Sequence, residues 1–224
     1  GQSESMMIVI GNALDTHETA ALREAAEKLE YEDGKRTAGR YARNVKSNLQ
    51  AVASPGLETI FTKVRDTLNG NEVFRSAARP KKFARLLLSR YRGGVTYGTH
   101  VDDPVMMGSR TDLSFTLALS DPGEYDGGEL VMEDAVEERG VRLAAGDLVL
   151  YPTSALHRVE PVTRGERMAI VGWVTSWVRD PARREILFDL DAAAKAIFDE
   201  QGKSPAFDRV FKAKANLSRM WYDD

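Results

Sequence analysis

Two histidines and an aspartate have a spacing that suits a metal site. His100 and Asp102 are separated by one residue, and His157 follows a strand-like run further along the chain. If residues 100 to 102 are extended, side chains alternate across the strand, so His100 and Asp102 lie on one face. Two imidazoles and one carboxylate on one side of a metal leave the other positions open, as in non-haem Fe(II) oxygenases. The chain therefore carries a candidate three-ligand iron site.

Arg167 opens the strand-like run RMAIVGWVTSWV, ten residues after His157. Arginine suits a planar, two-point contact with a carboxylate. Beside an Fe(II) site this indicates 2-oxoglutarate, whose keto acid end chelates the metal while its far carboxylate meets the arginine. The alternative is an arginine that closes a surface ion pair.

Seven segments through most of the chain carry a resemblance to a known family. They are DGKRTAG (33–39), VKSN (45–48), YRGGVTYGTHVD (91–102), RTDLS (110–114), YDGGEL (125–130), AAGDLVLYPTSALHRVEPVTRGER (144–167) and SWVRD (176–180). In these segments the sequence resembles the PKHD-type hydroxylases, which are bacterial Fe(II)- and 2-oxoglutarate-dependent dioxygenases related to the prolyl and lysyl hydroxylases.

The resemblance implies roles for individual residues. The iron ligands would be His100, Asp102 and His157. Arg167 would hold the far carboxylate of 2-oxoglutarate. Tyr91 and Trp173 would also belong to the co-substrate pocket. Trp173 matches a tryptophan that follows the arginine by six residues in related prolyl hydroxylases.

These residues predict a dioxygenase that hydroxylates an unactivated C–H bond of a small-molecule or peptidyl substrate, consuming O2 and releasing succinate and CO2. The resemblance implies Fe(II) and 2-oxoglutarate, adds L-ascorbate as a candidate cofactor, and suggests a role in iron homeostasis. Two alternatives stay open. One is a non-catalytic iron or 2-oxoglutarate sensor that binds a partner, and the other is a cupin-like enzyme that uses another metal without 2-oxoglutarate.

The open side of the predicted metal site borders the link from Asp102 to Arg110. This link is shorter than the family pattern predicts, so the choice of substrate is not carried over from the resemblance. Candidates for the substrate side are Tyr97, Met106, Met107 and Arg110. Each of them is also explained by a structural role.

Composition sets the class of protein. The chain has 224 residues, a hydrophobic fraction of 42% and a charged fraction of 29%, which are typical of a soluble globular protein. A formal net charge of −3 gives no basic footprint for nucleic acid, and the absence of cysteine excludes disulfides and thiolate metal sites. With neither a signal pattern nor a long apolar run, we expect a cytoplasmic protein without a membrane segment.

Periodicity predicts helices on either side of a strand-rich centre. Helical spacing covers residues 16–31 and 54–78 and returns after Pro181, whereas strands follow in series between residues 82 and 178. We therefore predict a mainly β fold with flanking helices, and the resemblance narrows its core to a double-stranded β-helix, or jelly roll. The expected regions are an N-terminal support (1–80), a dioxygenase core (81–180) and a C-terminal helical extension (181–224).

Three features allow two interpretations each. The polar segment 31–52 is either a solvated connection or a rim of the active site. In the strand from Leu113, the small residues Ser114, Thr116 and Ala118 either face solvent or line a pocket. The helices after Pro181 either pack on the barrel of their own chain or join copies into a homo-oligomer.

Overall fold

The computed structural model describes residues 7–34, 48–94, 97–134 and 136–224, with the backbone alone for Tyr97. The helices are α1 (Thr16–Glu27), α2 (Pro55–Asn69), α3 (Glu72–Ala78), α4 (Pro181–Gln201) and α5 (Pro205–Trp221). The strands are β1 (Ile8–Ile10), β2 (Tyr31–Asp33), β3 (Leu49–Ala51), β4 (Pro80–Arg92), β5 (Tyr97–His100), β6 (Val105–Met106), β7 (Ser109–Arg110), β8 (Leu113–Ala118), β9 (Tyr125–Gly127), β10 (Leu130–Glu133), β11 (Glu138–Val141), β12 (Leu148–Pro152), β13 (Leu156–Val159) and β14 (Val162–Ser176).

Two antiparallel sheets form the body of the protein. The larger has the order β1-β12-β8-β14-β4-β3-β2, with β9 paired to β14 at one end, and the smaller has the order β11-β10-β13-β5. The long strands β4 and β14 pair along almost their whole lengths. Strands β1 to β3 extend the larger sheet, so the N-terminal region shares a sheet with the core.

Each face of the larger sheet has its own apolar core. One face packs against α1, α2 and α3 around Phe74, Phe115 and Leu88. The opposite face meets the smaller sheet, where Tyr91 and Tyr151 join a cluster with residues of β10 and β13. Two facing antiparallel sheets with helices at both ends confirm the prediction of a mainly β fold with flanking helices.

The helix boundaries follow from local sequence. Asp15 and Glu18 form a capping box at the start of α1, and the side chain of Ser54 accepts a hydrogen bond from the amide of Leu57 at the start of α2. The single helical stretch predicted over 54–78 is wrong in one respect. It breaks after α2, because Asn71 is the N-cap of a separate helix, α3.

The burial of strand β8 distinguishes between the two interpretations of its small residues. All six of its residues are buried, including Ser114 and Thr116. One face joins the core under the helices, and the other points between the two sheets. The solvent-facing interpretation is therefore wrong, and this face lines the interior.

The C-terminal helices pack on the same chain. Asp191 of α4 accepts hydrogen bonds from Ser76 and from Arg79, where the Arg79 Nη2 to Asp191 Oδ2 distance is 2.7 Å. Trp177 stacks on Tyr222 with ring centroids 5.7 Å apart. None of the residues of α5 is fully buried, and a cleft of about 1020 Å³ lies between the helix pair and the region of α3. Among the described residues, no helix combines the length and apolar character that a membrane span requires.

Candidate metal centre

Two strands of the smaller sheet bring the predicted triad together. His100 ends β5, Asp102 follows two residues later, and His157 lies on β13 directly opposite His100. All three are buried, with 9%, 7% and 3% of their surfaces exposed, respectively. One potential ligand atom from each lies within 4.8 Å of the other two. The arrangement expected from the one-residue spacing is therefore present.

Backbone carbonyls fix the orientation of both imidazoles. Nδ1 of His100 is 2.7 Å from the carbonyl oxygen of Gly98, and Nδ1 of His157 is 3.0 Å from that of Ala155. A carbonyl can only accept, so each Nδ1 carries the proton that it donates. In the neutral ring this leaves the lone pair on Nε2, as in metal-binding histidines whose other nitrogen is held by a carbonyl.

The two oxygens of the Asp102 carboxylate have different surroundings. Its Oδ2 accepts hydrogen bonds from Ser114 Oγ at 2.7 Å and from Trp173 Nε1 at 3.0 Å. Its Oδ1 is 3.2 Å from Nε2 of His100 and 3.4 Å from Nε2 of His157. Ser114 and Trp173 thus turn a single carboxylate oxygen toward the two imidazoles.

The electrostatics of the triad favour a positive charge at its centre. Burial raises the pKa of the Asp102 carboxyl, but hydrogen bonds and charges from the two histidines outweigh it and hold the pKa far below its usual range. Burial lowers the pKa of His157, whereas the hydrogen bond and charge of Asp102 raise it, and the net shift is upward. A site that attracts a proton in this way also attracts a divalent cation. Two nitrogens and one oxygen suit Fe(II).

Arg167 lies in the same interior, six residues before Trp173 on β14. It pairs with Tyr91 across β14 and β4, and its guanidinium lies 5.0 Å from the centroid of the Tyr91 ring. Burial raises the pKa of Tyr91, although Arg167 and Ser89 oppose the rise, so the phenol is a neutral donor. Arg167 is 7% exposed, and its Nη1 has no hydrogen-bond acceptor among the described residues. A buried charged donor without an acceptor is costly, which favours an anionic ligand here.

A cavity connects the triad with Arg167. Asp102, His157, Trp173 and Arg167 all contribute to its wall. Sequence reasoning did not single out several further residues of this wall, and the most polar of them are Asn48, Gln50, Ser89 and Tyr151. Asn48 and Gln50 fall within the polar segment 31–52, so part of that segment borders the site as one of its two interpretations predicted. Residues 35–47 of the segment lie outside the described residues.

The residues predicted on the substrate side have varied environments. The Arg110 guanidinium donates hydrogen bonds to both carboxylate oxygens of Asp112, each 2.9 Å from Nε. It also donates to the carbonyl oxygen of Ser176. The link after Asp102 forms the hairpin of β6 and β7. Met106 is half-buried there, and Met107 is 78% exposed at its turn. The Tyr97 side chain lies outside the described residues.

Comparison with known proteins places the chain in a family. Residues 86–175 match the model of the 2OG-Fe(II) oxygenase superfamily. The chain is 50% identical over 219 residues to a PKHD-type hydroxylase of Maricaulis maris (strain MCS10), covering 98% of this chain and 100% of that one. It is 46% identical to a PKHD-type hydroxylase of Idiomarina loihiensis, over 97% of this chain and 100% of that one.

Solved structures share the fold. A prolyl-4-hydroxylase of Pseudomonas putida has a TM-score of 0.53 at 22% identity, covering 77% of this chain and 94% of its own. HygX of Streptomyces hygroscopicus has a TM-score of 0.57 at 14% identity, covering 78% of this chain and 84% of its own. These likenesses confirm the predicted jelly-roll core. Identity near one half over almost the whole length shows that the chain belongs to the PKHD-type hydroxylases, which are oxygenases that use Fe(II), 2-oxoglutarate and O2.

Proposed function

We propose that the protein hydroxylates an unactivated C–H bond of a small-molecule or peptidyl substrate, while 2-oxoglutarate is converted to succinate and CO2. One observation carries the proposal: a cluster of three ligand atoms adjoins a cavity whose wall includes Asp102, His157 and Arg167, and Arg167 Nη1 has no acceptor among the described residues. His100, Asp102 and His157 would hold Fe(II), which supplies the redox chemistry that activates O2. The sensor that was left open as an alternative is disfavoured by membership of an oxygenase family.

The chain's own residues would bind, orient and shield. Arg167 and the neutral hydroxyl of Tyr91 would bind the far carboxylate of the co-substrate. Ser114 and Trp173 keep one Asp102 oxygen on the metal side. Apolar residues between the two sheets, among them Leu130, would exclude water from the cavity. Each charged contact there is stronger as a result, because the local dielectric is low.

The experiment that tests this function measures succinate. Given Fe(II), O2 and 2-oxoglutarate, the purified protein should release succinate slowly even without its true substrate, because O2 activation also proceeds unproductively. Nuclear magnetic resonance of the reaction mixture would follow succinate against time. Omitting O2 should stop the release. An iron-loaded protein that binds 2-oxoglutarate but yields no succinate under air would contradict the proposal and favour the sensor.

Three wider expectations from the sequence belong to the same proposal. They are a role in iron homeostasis, L-ascorbate as an additional cofactor, and a cytoplasmic location. Their support is the resemblance and the composition. We also propose the division into a support (1–80), a core (81–180) and an extension (181–224). Its support is that the triad, Tyr91, Arg167 and Trp173 all fall in the part of the chain that runs from β4 to β14.

We also propose that the C-terminal helices join two copies of the chain. Several apolar side chains of these helices are exposed: Phe198 and Phe211 are each 49% exposed, and Met220 is 73% exposed. Exposed apolar groups of this size often mark protein interfaces.

Replacing Phe211 with glutamate should therefore convert a dimer to a monomer, because the charge would be buried against apolar groups. Light scattering after size-exclusion chromatography would measure the mass. Ala213→Glu is the matched control, because residue 213 is exposed on the same helix and points in a different direction. A parent protein that is monomeric at tens of micromolar would refute the interface.

A further inference from the structure

Two buried carboxamides on the cavity wall have no role in the function described so far. Asn48 is 3% exposed and Gln50 is 2% exposed, and both border the cavity that holds Asp102, His157 and Arg167. Buried amides normally find hydrogen-bond partners. Among the described residues, Asn48 Oδ1 has none.

The strand register places Asn48 beside the arginine end of the cavity. Leu49 pairs with Arg90 and Gln50 with Ser89, so continuing this antiparallel register by one residue brings Asn48 to the level of Tyr91. Tyr91 in turn pairs with Arg167. Asn48, which directly precedes β3, therefore lies in one row with Tyr91 of β4 and Arg167 of β14, on the face that borders the cavity.

Gly34 provides the space that the carboxamide occupies. The Gly34 amide donates to the Asn48 carbonyl oxygen at 2.6 Å, so the two residues are neighbours across β2 and β3. A Cβ atom at Gly34 would collide with Asn48 Oδ1 and would lie 2.8 Å from the Asn48 carbonyl oxygen. The φ angle of Gly34 lies outside the left-handed region, so backbone conformation does not require glycine here. The oxygen end of the Asn48 carboxamide lies in the space beside Gly34, and its Nδ2 end is further from that glycine.

We propose that Asn48 is a co-substrate-binding residue, whose Nδ2–H donates a hydrogen bond to the far carboxylate of 2-oxoglutarate beside Tyr91 and Arg167. This inference rests on the proposed function, because it requires that carboxylate to lie at Arg167. Arg167 supplies the charge, Tyr91 supplies a neutral hydroxyl, and Asn48 supplies a neutral amide from a third strand. Together these three donors would orient the far carboxylate and stabilise its negative charge.

The test compares two 2-oxo acids of equal chain length. 2-Oxoglutarate has the far carboxylate, whereas 2-oxopentanoate has a methyl group in its place and keeps the same keto acid end. Calorimetric titration of the anaerobic, Fe(II)-loaded protein would give the affinity for each acid without turnover. We expect Asn48→Ala to bind 2-oxoglutarate about 10-fold more weakly, the size of one charge-assisted hydrogen bond, and to bind 2-oxopentanoate as the parent does.

Asn48→Asp makes the test sharper, since it keeps the volume and adds a like charge. It should weaken 2-oxoglutarate more than Asn48→Ala does and again spare 2-oxopentanoate. Asn216→Ala, an exposed asparagine on α5, is the surface control. Equal losses for both acids would show a merely structural role for Asn48, and an unchanged 2-oxoglutarate affinity would remove it from the site. If the parent itself binds the two acids with equal affinity, the far carboxylate does not bind at Arg167. That result would contradict both the proposed role of Arg167 and the proposed role of Asn48.

Discussion

With His157 replaced by alanine, the affinity of the protein for Fe(II) should fall at least about 100-fold, because even groups that only support a metal ligand commonly contribute 10- to 100-fold. His157 Nε2 faces the same Asp102 oxygen as His100 Nε2, so removing it takes one of three converging donors away. The remaining pair would hold the metal from one strand alone. Anaerobic titration with Fe(II) gives the affinity directly.

His17→Ala is the matched control for this variant. His17 is exposed near the start of α1, outside the triad, and its loss should leave iron affinity unchanged. Circular dichroism would confirm that both variants fold. Iron binding in His157→Ala as tight as in the parent would show that the ligand set is wrong.

Replacing Arg167 with alanine should weaken 2-oxoglutarate binding about 30- to 1000-fold while leaving iron affinity intact. The change removes a charge-assisted, two-point contact worth roughly 2 to 4 kcal/mol, since the far carboxylate would lose its main partner in a buried site. Lysine at this position should restore binding only in part, because a point charge does not reproduce the planar guanidinium. Succinate release measured against 2-oxoglutarate concentration gives the half-saturation point of each variant.

Arg164→Ala controls for the loss of an arginine from the same strand. Arg164 is exposed and pairs with Asp126 on the surface, at 2.8 Å from Nε to Oδ2, so this variant should keep the parent half-saturation point. The opposite pattern, with Arg167→Ala unchanged, would place the co-substrate elsewhere. Equal loss of iron and 2-oxoglutarate in Arg167→Ala would instead indicate damage to the whole site.

The triad was predictable because it depends on local rules. Alternation along one strand is enough to put His100 and Asp102 on one face, and the chain has only three histidines from which the third ligand could come. Arg167 was predicted from its type and its position after His157, and Tyr91 from the family pattern. The structure brings both to the same cavity. Their roles in binding iron and co-substrate stay predictions until the variants are measured.

The supports of the triad were not predictable, because they depend on how distant strands pair. Ser114 and Trp173 lie 12 and 71 residues from Asp102 in sequence, and they reach it together because they are opposite each other on β8 and β14. Trp173 was assigned to the co-substrate pocket. The structure places it on the cavity wall but directs its N–H to Asp102.

Polar residues were hard to interpret from composition alone. Asn48 and Gln50 lie in the polar segment for which the sequence left two interpretations open, a solvated connection and a rim of the active site. Both are buried, because burial here comes from sheet pairing and not from apolar character. Arg110 has the opposite problem. It is a charged residue beside the open side of the metal, yet its guanidinium is bound by Asp112 and the end of β14. Only three-dimensional structure separates these cases.

Strand β14 carries Arg167 at one end of the cavity and Trp173 at the other, six residues apart on one face. Its pairing with β4 shows no irregularity between these two residues. Inserting or deleting one residue there would turn one side chain to the opposite face of the sheet. A one-residue change of length would therefore separate the two side chains, whereas replacing either side chain keeps the strand register. We therefore expect adaptation to a shorter or longer acid, by natural divergence or by directed evolution, to proceed through side-chain replacement and not through a one-residue insertion or deletion between Arg167 and Trp173.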